Sequence, residues 1–291
     1  MYKLIAIDLD GTLLNSYGTI SETDKNTLKK AIEKGIKVIL TSGRGTMSVK
    51  NFANEIGVDG DIICGNGAII YNLQEDKIIY NQYIDKNKVL QIMKICEENS
   101  IYYNVFTEDT ILTSSLAYNV LFYNQENIKK PDSKKTNINI IPNIYKYVEE
   151  RVKEDYLKIC ICDKSNIIFG GIMKKLKEVK NVNVMEVAHM ARKLIANGTD
   201  YVPVEYYITE IMNSDADKWN AVKFLADKFN IDKSEIITIG DNVNDEQMLR
   251  NAGLGVAMGN SAPYIQEMAK EVTLDNNSNG VAHIVEKYIL N

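Results

Sequence analysis

Short apolar runs alternate with amphipathic segments through the first and last thirds of this 291-residue chain. The run Leu4 to Ile7 ends at a pair of aspartates, and the second run, IKVILT, ends at Ser42. The run EIITIG, which ends at Asp241, has the same character. Strands that alternate with helices at this spacing predict an α/β fold, with a parallel sheet and helices on both faces.

The middle of the chain, residues 85–207, is richer in Tyr, Asn, Lys and Ile. Its strand-like segments IYYNVFTEDTILTSS and YLKICICD lie among helical stretches near residues 86–99 and 165–180. This pattern predicts an α+β domain inserted into the α/β one, whose two parts are then residues 1–84 and 208–291. A chain of this length is consistent with two units.

Local signals predict individual elements. Ser21 precedes a helix that Gly35 closes. The segment DIICGNGAII is typical of a third strand, followed by a hairpin of Ile69–Tyr71 with Ile78–Tyr80. The Asn- and Lys-rich residues 124–146 are typical of surface loops.

Composition excludes several classes of protein. The net charge of −5 argues against a nucleic-acid binder, and there is no apolar run of membrane length. The chain runs from Met1 directly into the first strand, which leaves no room for a signal peptide and predicts a cytoplasmic protein. The cysteines lack zinc-type spacing, and we expect them to be reduced and buried; they are Cys64, Cys96, Cys160 and Cys162. Nothing in the sequence specifies an oligomeric state.

Polar side chains follow three of the predicted strands. They are Asp8 and Asp10 after the first strand, Ser42 after the second, and Asp241, Asn244 and Asp245 after the strand at residues 236–239. Lys218 begins the helix before that last strand. Ligands of open parallel sheets bind at the carboxyl ends of strands, so we expect these groups to converge on one edge of the sheet.

This set of groups indicates phosphoryl chemistry. Hard oxygen ligands suit Mg²⁺, which takes one or two carboxylates together with a substrate phosphate. An ionised carboxylate can act as a nucleophile and form an aspartyl phosphate, while Mg²⁺ and a lysine neutralise charge.

Other motifs in the sequence are weaker evidence for other functions. GRGTMS is a near miss to a dinucleotide-binding fingerprint, but no suitable acid follows the third strand. The sequence has no P-loop motif. A second D-x-D sequence, Asp215-Ala216-Asp217, follows no strand-end glycine turn and is typical of a solvated loop.

Together, the segments DLDGTLL, TSGR, DKWNAV and GDNVNDEQML resemble the four motifs of the haloacid dehalogenase superfamily. The position and length of the mid-chain insertion are similar to those of the α+β cap in its Cof-like (type IIB cap) phosphatases, and CGNGAII and TLDNNSNGVA fit the same subfamily. The resemblance implies a Rossmann-like parallel-sheet core with an inserted α+β cap domain that sets substrate specificity.

The resemblance also implies catalytic roles. Asp8 would be the nucleophile, and Asp10 would protonate the leaving alcohol and then activate water. Ser42 would hydrogen-bond the transferring phosphoryl oxygens. Lys218 would balance the negative charge of Asp8 and the phosphate.

Metal and substrate ligands follow from the same resemblance. Asp8, the backbone carbonyl of Asp10, and Asp241 would hold Mg²⁺, and Asp245 would support the lysine, the phosphate or the metal-bound waters. The remaining positions, implied to bind substrate, are Gly43, Arg44, Asn66, Gly67 and Asn244.

The sequence departs from the family pattern at Trp219, where a glycine is usual after the lysine. A large aromatic residue there is typical of core or cap packing.

The expected activity is hydrolysis of small phosphomonoesters, such as sugar phosphates or the phosphorylated cofactors pyridoxal phosphate and FMN. Phosphosugar mutase activity and non-catalytic sensing of a phosphorylated metabolite remain alternatives. Residues that could set specificity include Arg192, Lys193, Tyr206 and Tyr207.

Overall fold

A computed structural model describes residues 1–128, 131–132, 135–185, 191–197 and 200–291. The chain divides into two compact units, which are Met1–Asn81 with Ala216–Asn291, and Gln82–Asp215. The predicted limits of the insertion, 85–207, lie inside the bounds of the second unit. The later limit falls within a strand that runs without interruption to Asn213, so the chain does not leave the second unit at 207.

The strands, numbered in chain order, are β1 Leu4–Asp8, β2 Lys37–Thr41, β3 Asp61–Cys64, β4 Ile69–Asn72, β5 Lys77–Asn81, β6 Tyr102–Phe106, β7 Thr110–Thr113, β8 Asn137–Ile140, β9 Lys158–Asp163, β10 Val182–Val184, β11 Ala191–Asn197, β12 Asp200–Asn213, β13 Ile236–Gly240, β14 Leu254–Ala257 and β15 Glu271–Val272. The helices are α1 Glu22–Glu33, α2 Thr46–Ile56, α3 Lys86–Glu98, α4 Tyr118–Ile128, α5 Ile144–Glu150, α6 Asn166–Leu176, α7 Lys218–Lys228, α8 Glu246–Asn251, α9 Pro263–Met268 and α10 Gly280–Val285.

The first unit contains one sheet in the order β15-β14-β13-β1-β2-β3-β4-β5. The strands from β15 to β3 are parallel, and the β4–β5 hairpin adds two antiparallel strands at one edge. The predicted α/β fold with a parallel sheet is therefore confirmed.

Burial of apolar side chains fixes the centre of this sheet. Every residue of β1 is buried, as a strand with neighbours on both sides requires. Leu4 and Ala6 of β1 belong to one hydrophobic cluster with Ala221 and Leu225 of α7. Helix α1 begins as predicted, because the Ser21 side chain accepts a hydrogen bond from the Asp24 backbone N–H.

The predicted third strand is interrupted. Three consecutive residues with positive φ, Gly65, Asn66 and Gly67, form a tight turn between β3 and β4. This turn reverses the chain, so β4 pairs antiparallel with β3 instead of extending it.

The second unit contains a sheet in the order β10-β12-β9-β6-β7-β8, with β11 paired to β12. Its main hydrophobic cluster includes Ile159 and Ile161 of β9 with residues of α3, α5 and α6. The expectation of surface loops over 124–146 is wrong in part, because the second half of α4, β8 and the start of α5 lie there. Asn143 caps α5, and its buried Ile144 and Val148 are one helical turn apart.

Cys160 and Cys162 lie two residues apart on β9, on the face opposite Ile159 and Ile161, and all four cysteines are buried free thiols. Among the described residues, no helix is both long enough and apolar enough to cross a bilayer.

Candidate active site

Three strand ends bring the predicted polar groups to one edge of the first sheet. Asp8 is the last residue of β1, Ser42 follows β2, and Asp241 follows β13. Since β1 lies between β13 and β2, its carboxyl end is where the chain order in the sheet reverses. Ligands bind open α/β sheets at this position.

Helix α7 supplies the lysine. It begins at Lys218, and its N-cap is Asp217, whose side chain accepts a hydrogen bond of 2.9 Å from the Asn220 backbone N–H. The expectation that residues 215–217 form a solvated loop is therefore wrong at Asp217, since its carboxylate fixes the start of the helix that carries Lys218.

The Lys218 ammonium lies between two carboxylates. Its Nζ donates to Asp8 Oδ1 at 2.5 Å and to Asp245 Oδ1 at 2.6 Å, and its side chain is 1% exposed. Burial by itself lowers the pKa of Lys218, but the charges of Asp245 and Asp8 outweigh burial and raise it above its ordinary value. Lys218 is therefore a fixed positive charge beside the end of β1.

Three carboxylates surround this one ammonium. Asp8, Asp241 and Asp245 each offer an oxygen, and these oxygens lie within 4.8 Å of one another. Burial raises the pKa of Asp8, and Lys218 only partly opposes it. Burial and the charge of Asp245 raise the pKa of Asp241 to about 6. The carboxylates around Lys218 therefore outnumber the ammonium in a buried place. Hard oxygen donors at this spacing fit a divalent cation such as Mg²⁺.

Asp241 is oriented by the segment that follows β1. Thr12 Oγ1 donates to Asp241 Oδ1 at 3.2 Å. Gly11 has φ of +84°, and a Cβ there would lie 2.3 Å from Asp241 Oδ2. The glycine therefore permits both the turn and the approach of the carboxylate. Thr12 was not among the predicted site residues, although it directly follows the D-x-D-G sequence.

The Asp10 side chain lies outside the three-carboxylate cluster. Arg44 binds it through two hydrogen bonds, from Nε to Oδ2 at 2.7 Å and from the terminal nitrogen to Oδ1 at 2.5 Å. Both side chains are partly exposed, and the guanidinium also contacts Ser48 Oγ and the Phe52 ring of α2. The predicted substrate ligand Arg44 is thus a partner of the predicted acid. Residue spacing in the sequence gives no signal for this pair.

The other predicted substrate ligands also lie at this edge. Ser42 is buried, and its Oγ accepts a hydrogen bond of 3.1 Å from the Arg44 backbone N–H. Asn244 Nδ2 donates to Asn66 Oδ1 at 3.1 Å, and that oxygen is 2.8 Å from the position of a Cβ on Gly43.

Gly67 connects the turn after β3 to α7. Its φ is +95°, and a Cβ there would lie 2.1 Å from the Asp217 carbonyl oxygen.

Trp219 is partly buried against the same hydrophobic cluster as Ala221, consistent with a packing role. In the second unit, Tyr206 is buried with its ring 5.3 Å from that of Tyr118. The side chains of Arg192 and Lys193 lie outside the described residues.

Comparison with known proteins agrees with this geometry. The sequence profile of the haloacid dehalogenase-like hydrolases matches residues 5–285. The phosphatase YwpJ of Bacillus subtilis (strain 168) is 30% identical over 98% of this chain and 99% of its own. The 5-amino-6-(5-phospho-D-ribitylamino)uracil phosphatase YwtE of that strain is 29% identical over 99% and 98% of the two chains. A solved haloacid dehalogenase-like hydrolase from B. subtilis has a TM-score of 0.78 and 28% identity, with 99% of each chain covered. The resemblance seen in the four motifs is confirmed, and this chain belongs to the haloacid dehalogenase-like hydrolases.

Proposed function

We propose that this chain is a Mg²⁺-dependent phosphatase that hydrolyses small phosphomonoesters through an aspartyl phosphate on Asp8. The observation that carries this proposal is the environment of Asp8. It is a buried carboxylate at the end of the central strand, with an ammonium at 2.5 Å and two further carboxylates beside it. A nucleophile, a positive charge and a set of metal ligands are what phosphoryl transfer requires.

Asp8 attacks through one defined oxygen. Lys218 binds Oδ1, so Oδ2 is the atom that forms the new bond to phosphorus. As that bond forms, the bond from phosphorus to the alcohol oxygen breaks, and the electron pair leaves with the alcohol. The ammonium of Lys218 offsets the charge that Asp8 and the phosphoryl group bring together.

The metal would be held by Asp8, Asp241, Asp245 and the backbone carbonyl of Asp10. Mg²⁺ bound there supplies charge neutralisation to the carboxylates and to the phosphoryl oxygens.

Asp10 moves protons in both half-reactions. As an acid it protonates the departing alcohol oxygen, and as a base it then takes a proton from the water that cleaves the aspartyl phosphate. Before either step its carboxyl group exchanges Arg44 for the reacting oxygen. Arg44, released from Asp10, becomes available to the anionic substrate.

Ser42 and Asn244 are proposed to bind the phosphoryl oxygens. The Ser42 oxygen already accepts from the Arg44 backbone, so its hydroxyl hydrogen is the group that it can offer to substrate. Gly43 keeps this loop close to Asn66, whose side chain meets Asn244.

We propose sugar phosphates and phosphorylated cofactors as the substrate class, with the second unit selecting among them. Support comes from the similar protein YwtE, whose name specifies 5-amino-6-(5-phospho-D-ribitylamino)uracil as its substrate. A panel for a screen therefore contains that compound, hexose phosphates, pyridoxal phosphate and FMN.

The test is hydrolysis of p-nitrophenyl phosphate by purified protein, with Mg²⁺ and with EDTA. Asp8→Asn keeps the size of the side chain and removes the nucleophile, so we expect activity to fall to background, at least about 10³-fold. The control is Asp227→Asn, an exposed aspartate on α7, which should keep wild-type activity.

Three outcomes decide the proposal. Activity that survives in Asp8→Asn would exclude Asp8 as the nucleophile. Binding of a panel compound without turnover in Mg²⁺ would favour a sensor. Transfer of phosphate to a sugar hydroxyl, seen in the products from a hexose bisphosphate, would favour a mutase.

A further inference from the structure

The segment that follows β1 is held by asparagines from a distant part of the sequence. Asn260 Nδ2 donates to the Gly11 carbonyl oxygen at 2.9 Å, and Asn276 Nδ2 donates to the Leu14 carbonyl oxygen at 2.8 Å. The two asparagines are also linked, since the Asn276 backbone N–H donates to Asn260 Oδ1 at 3.0 Å. We refer to Asn260 and Asn276 as the asparagine pair.

The two carbonyls that this pair binds belong to residues that neighbour Asp10. Gly11 is the next residue in the chain, and Leu14 forms an isolated β-bridge with Asp10. The asparagine pair therefore holds the carbonyl of Gly11, one residue beyond Asp10, and the carbonyl of its bridge partner Leu14 at the same time.

Packing does not hold the Asp10 side chain, and in the proposed reaction the carboxylate leaves Arg44, so backbone contacts must keep it in place. Its carboxylate is 56% exposed, whereas that of Asp8 is 5% exposed within the sheet edge. General acid–base catalysis needs the carboxyl group within hydrogen-bond reach of the reacting oxygen, and an error of about 1 Å can cost about 10²-fold in rate.

We propose that Asn260 and Asn276 are positioning residues for the acid–base group Asp10. They act through the backbone of residues 10–14 and do not touch the reacting atoms. This inference rests on the proposed function, since it assigns a supporting role in the same reaction.

Asn277 provides a matched control from the same loop. It makes two hydrogen bonds to Ser16, accepting from the backbone N–H at 3.0 Å and donating to Oγ at 3.0 Å. These contacts hold the same segment, but they are six residues beyond Asp10. The Asn277 Nδ2 also donates to Asn276 Oδ1 at 3.3 Å, so Asn277→Ala removes three side-chain hydrogen bonds. It keeps both donors of the asparagine pair, to the Gly11 and Leu14 carbonyls.

The test variant is Asn260→Asp. It preserves side-chain size and the acceptor for Asn276, but it replaces the donor to Gly11 with an oxygen that faces the carbonyl. Asn276→Asp, which removes the donor to Leu14, is the second variant if the first does not fold. Asn277→Ala is the control, and thermal melting of every protein establishes that it is folded.

The readout is pre-steady-state hydrolysis of p-nitrophenyl phosphate with Mg²⁺. Nitrophenolate is a good leaving group that needs little help from an acid, so transfer to Asp8 should keep its rate in Asn260→Asp. Cleavage of the aspartyl phosphate needs Asp10 as a base, and we expect it to slow about tenfold. A burst of about one nitrophenolate per active site should then precede slow turnover, as expected when a covalent intermediate accumulates, and intact mass should show the accumulated phosphoenzyme.

The outcomes separate the two proposals. Wild-type turnover in both asparagine-pair variants, or a parallel fall of burst and steady rate, would overturn the positioning role while leaving Asp8 as the nucleophile. A change in Asn277→Ala equal to that in Asn260→Asp would overturn it as well. If wild-type protein forms no phosphoenzyme and is unaffected by Asp8→Asn, the proposed function fails and the positioning role fails with it.

Discussion

Each unit contains a buried lysine in contact with carboxylate, and the balance of charge around the two lysines differs. Lys218 of the first unit contacts Asp8 and Asp245, with Asp241 close by. Lys158 of the second unit contacts Glu210 at 2.6 Å, and its Nζ lies 4.8 Å from the centre of the Phe106 ring. Among the residues that the structure describes, the first lysine is outnumbered by carboxylates, and the second forms an ion pair with one carboxylate.

This difference separates the proposed reaction site from a structural ion pair. Around Lys218 the excess of buried negative charge is unfavourable, and a bound cation would offset it. Around Lys158 the charges already balance, and burial keeps the neighbouring Cys160 neutral by raising its thiol pKa. Burial alone therefore does not distinguish the two lysines, whereas the excess of carboxylates at a strand end does.

The comparison predicts its largest effect at Lys218. Lys218→Met keeps an unbranched chain and removes the charge, so the transition state for attack by Asp8 loses its positive partner. We expect kcat/KM for p-nitrophenyl phosphate to fall about 10³-fold, or about 4 kcal/mol in transition-state stabilisation. Lys223→Met, on the exposed side of the same helix, should retain wild-type kinetics. A comparable loss in Lys158→Met would contradict the distinction between the two lysines.

The sequence predicted where the site residues meet because strand ends are a one-dimensional signal. An apolar run followed by an acid predicts a carboxylate at the sheet edge, and Asp8, Ser42 and Asp241 all lie there. Lys218 was predictable from its place at the start of a helix, although the cap that fixes this start, Asp217, looked like part of a loop.

Contacts between exposed side chains could not be predicted in the same way. The pairing of Arg44 with Asp10 depends on how α2 and the segment after β1 approach each other, and spacing carries no information on that. The turn at Gly65–Gly67 was missed because flanking apolar residues dominate the pattern. Helix α4 was missed because Asn119, one of its few buried residues, is polar and bonds to Asn104 of β6.

A second prediction concerns the excess of carboxylates around Lys218. The pKa of Asp241 is raised from 3.8 to about 6, so the folded protein binds this proton more tightly than the unfolded chain does. The contribution of Asp241 to stability is therefore highest below about pH 4 and is lost as pH rises to about 6. In EDTA, we expect the free energy of unfolding of wild type to fall by about 1–2 kcal/mol relative to Asp241→Asn over this range, after allowing for the partial exposure of the carboxyl group.

Urea denaturation of both proteins at pH 4 and pH 6.5 measures this difference. The exposed variant Asp227→Asn provides the reference for a carboxylate outside the site. If the free energy of unfolding depends on pH identically in wild type and Asp241→Asn, the proximity of the three carboxylates does not destabilise the folded protein. Lys158 should contribute no such slope, because its pKa is raised further above this range.

The smallest effect is expected at the pair of Lys158 and Glu210. Lys158→Met keeps an unbranched side chain beside the Phe106 ring and removes the ammonium that contacts Glu210, which is 27% exposed. We expect a loss of about 1 kcal/mol in the free energy of unfolding, below the range for fully buried pairs because water still reaches the carboxylate. Adding Glu210→Gln removes the negative charge that Lys158 had offset, so the double variant should regain more than half of the loss. Hydrolysis of p-nitrophenyl phosphate should stay within about twofold of wild type in both variants, since neither change alters the charge around Asp8. If Lys158→Met instead lowers activity while stability is unchanged, the pair belongs to the reaction, and a one-to-one charge balance no longer distinguishes structural lysines from catalytic ones.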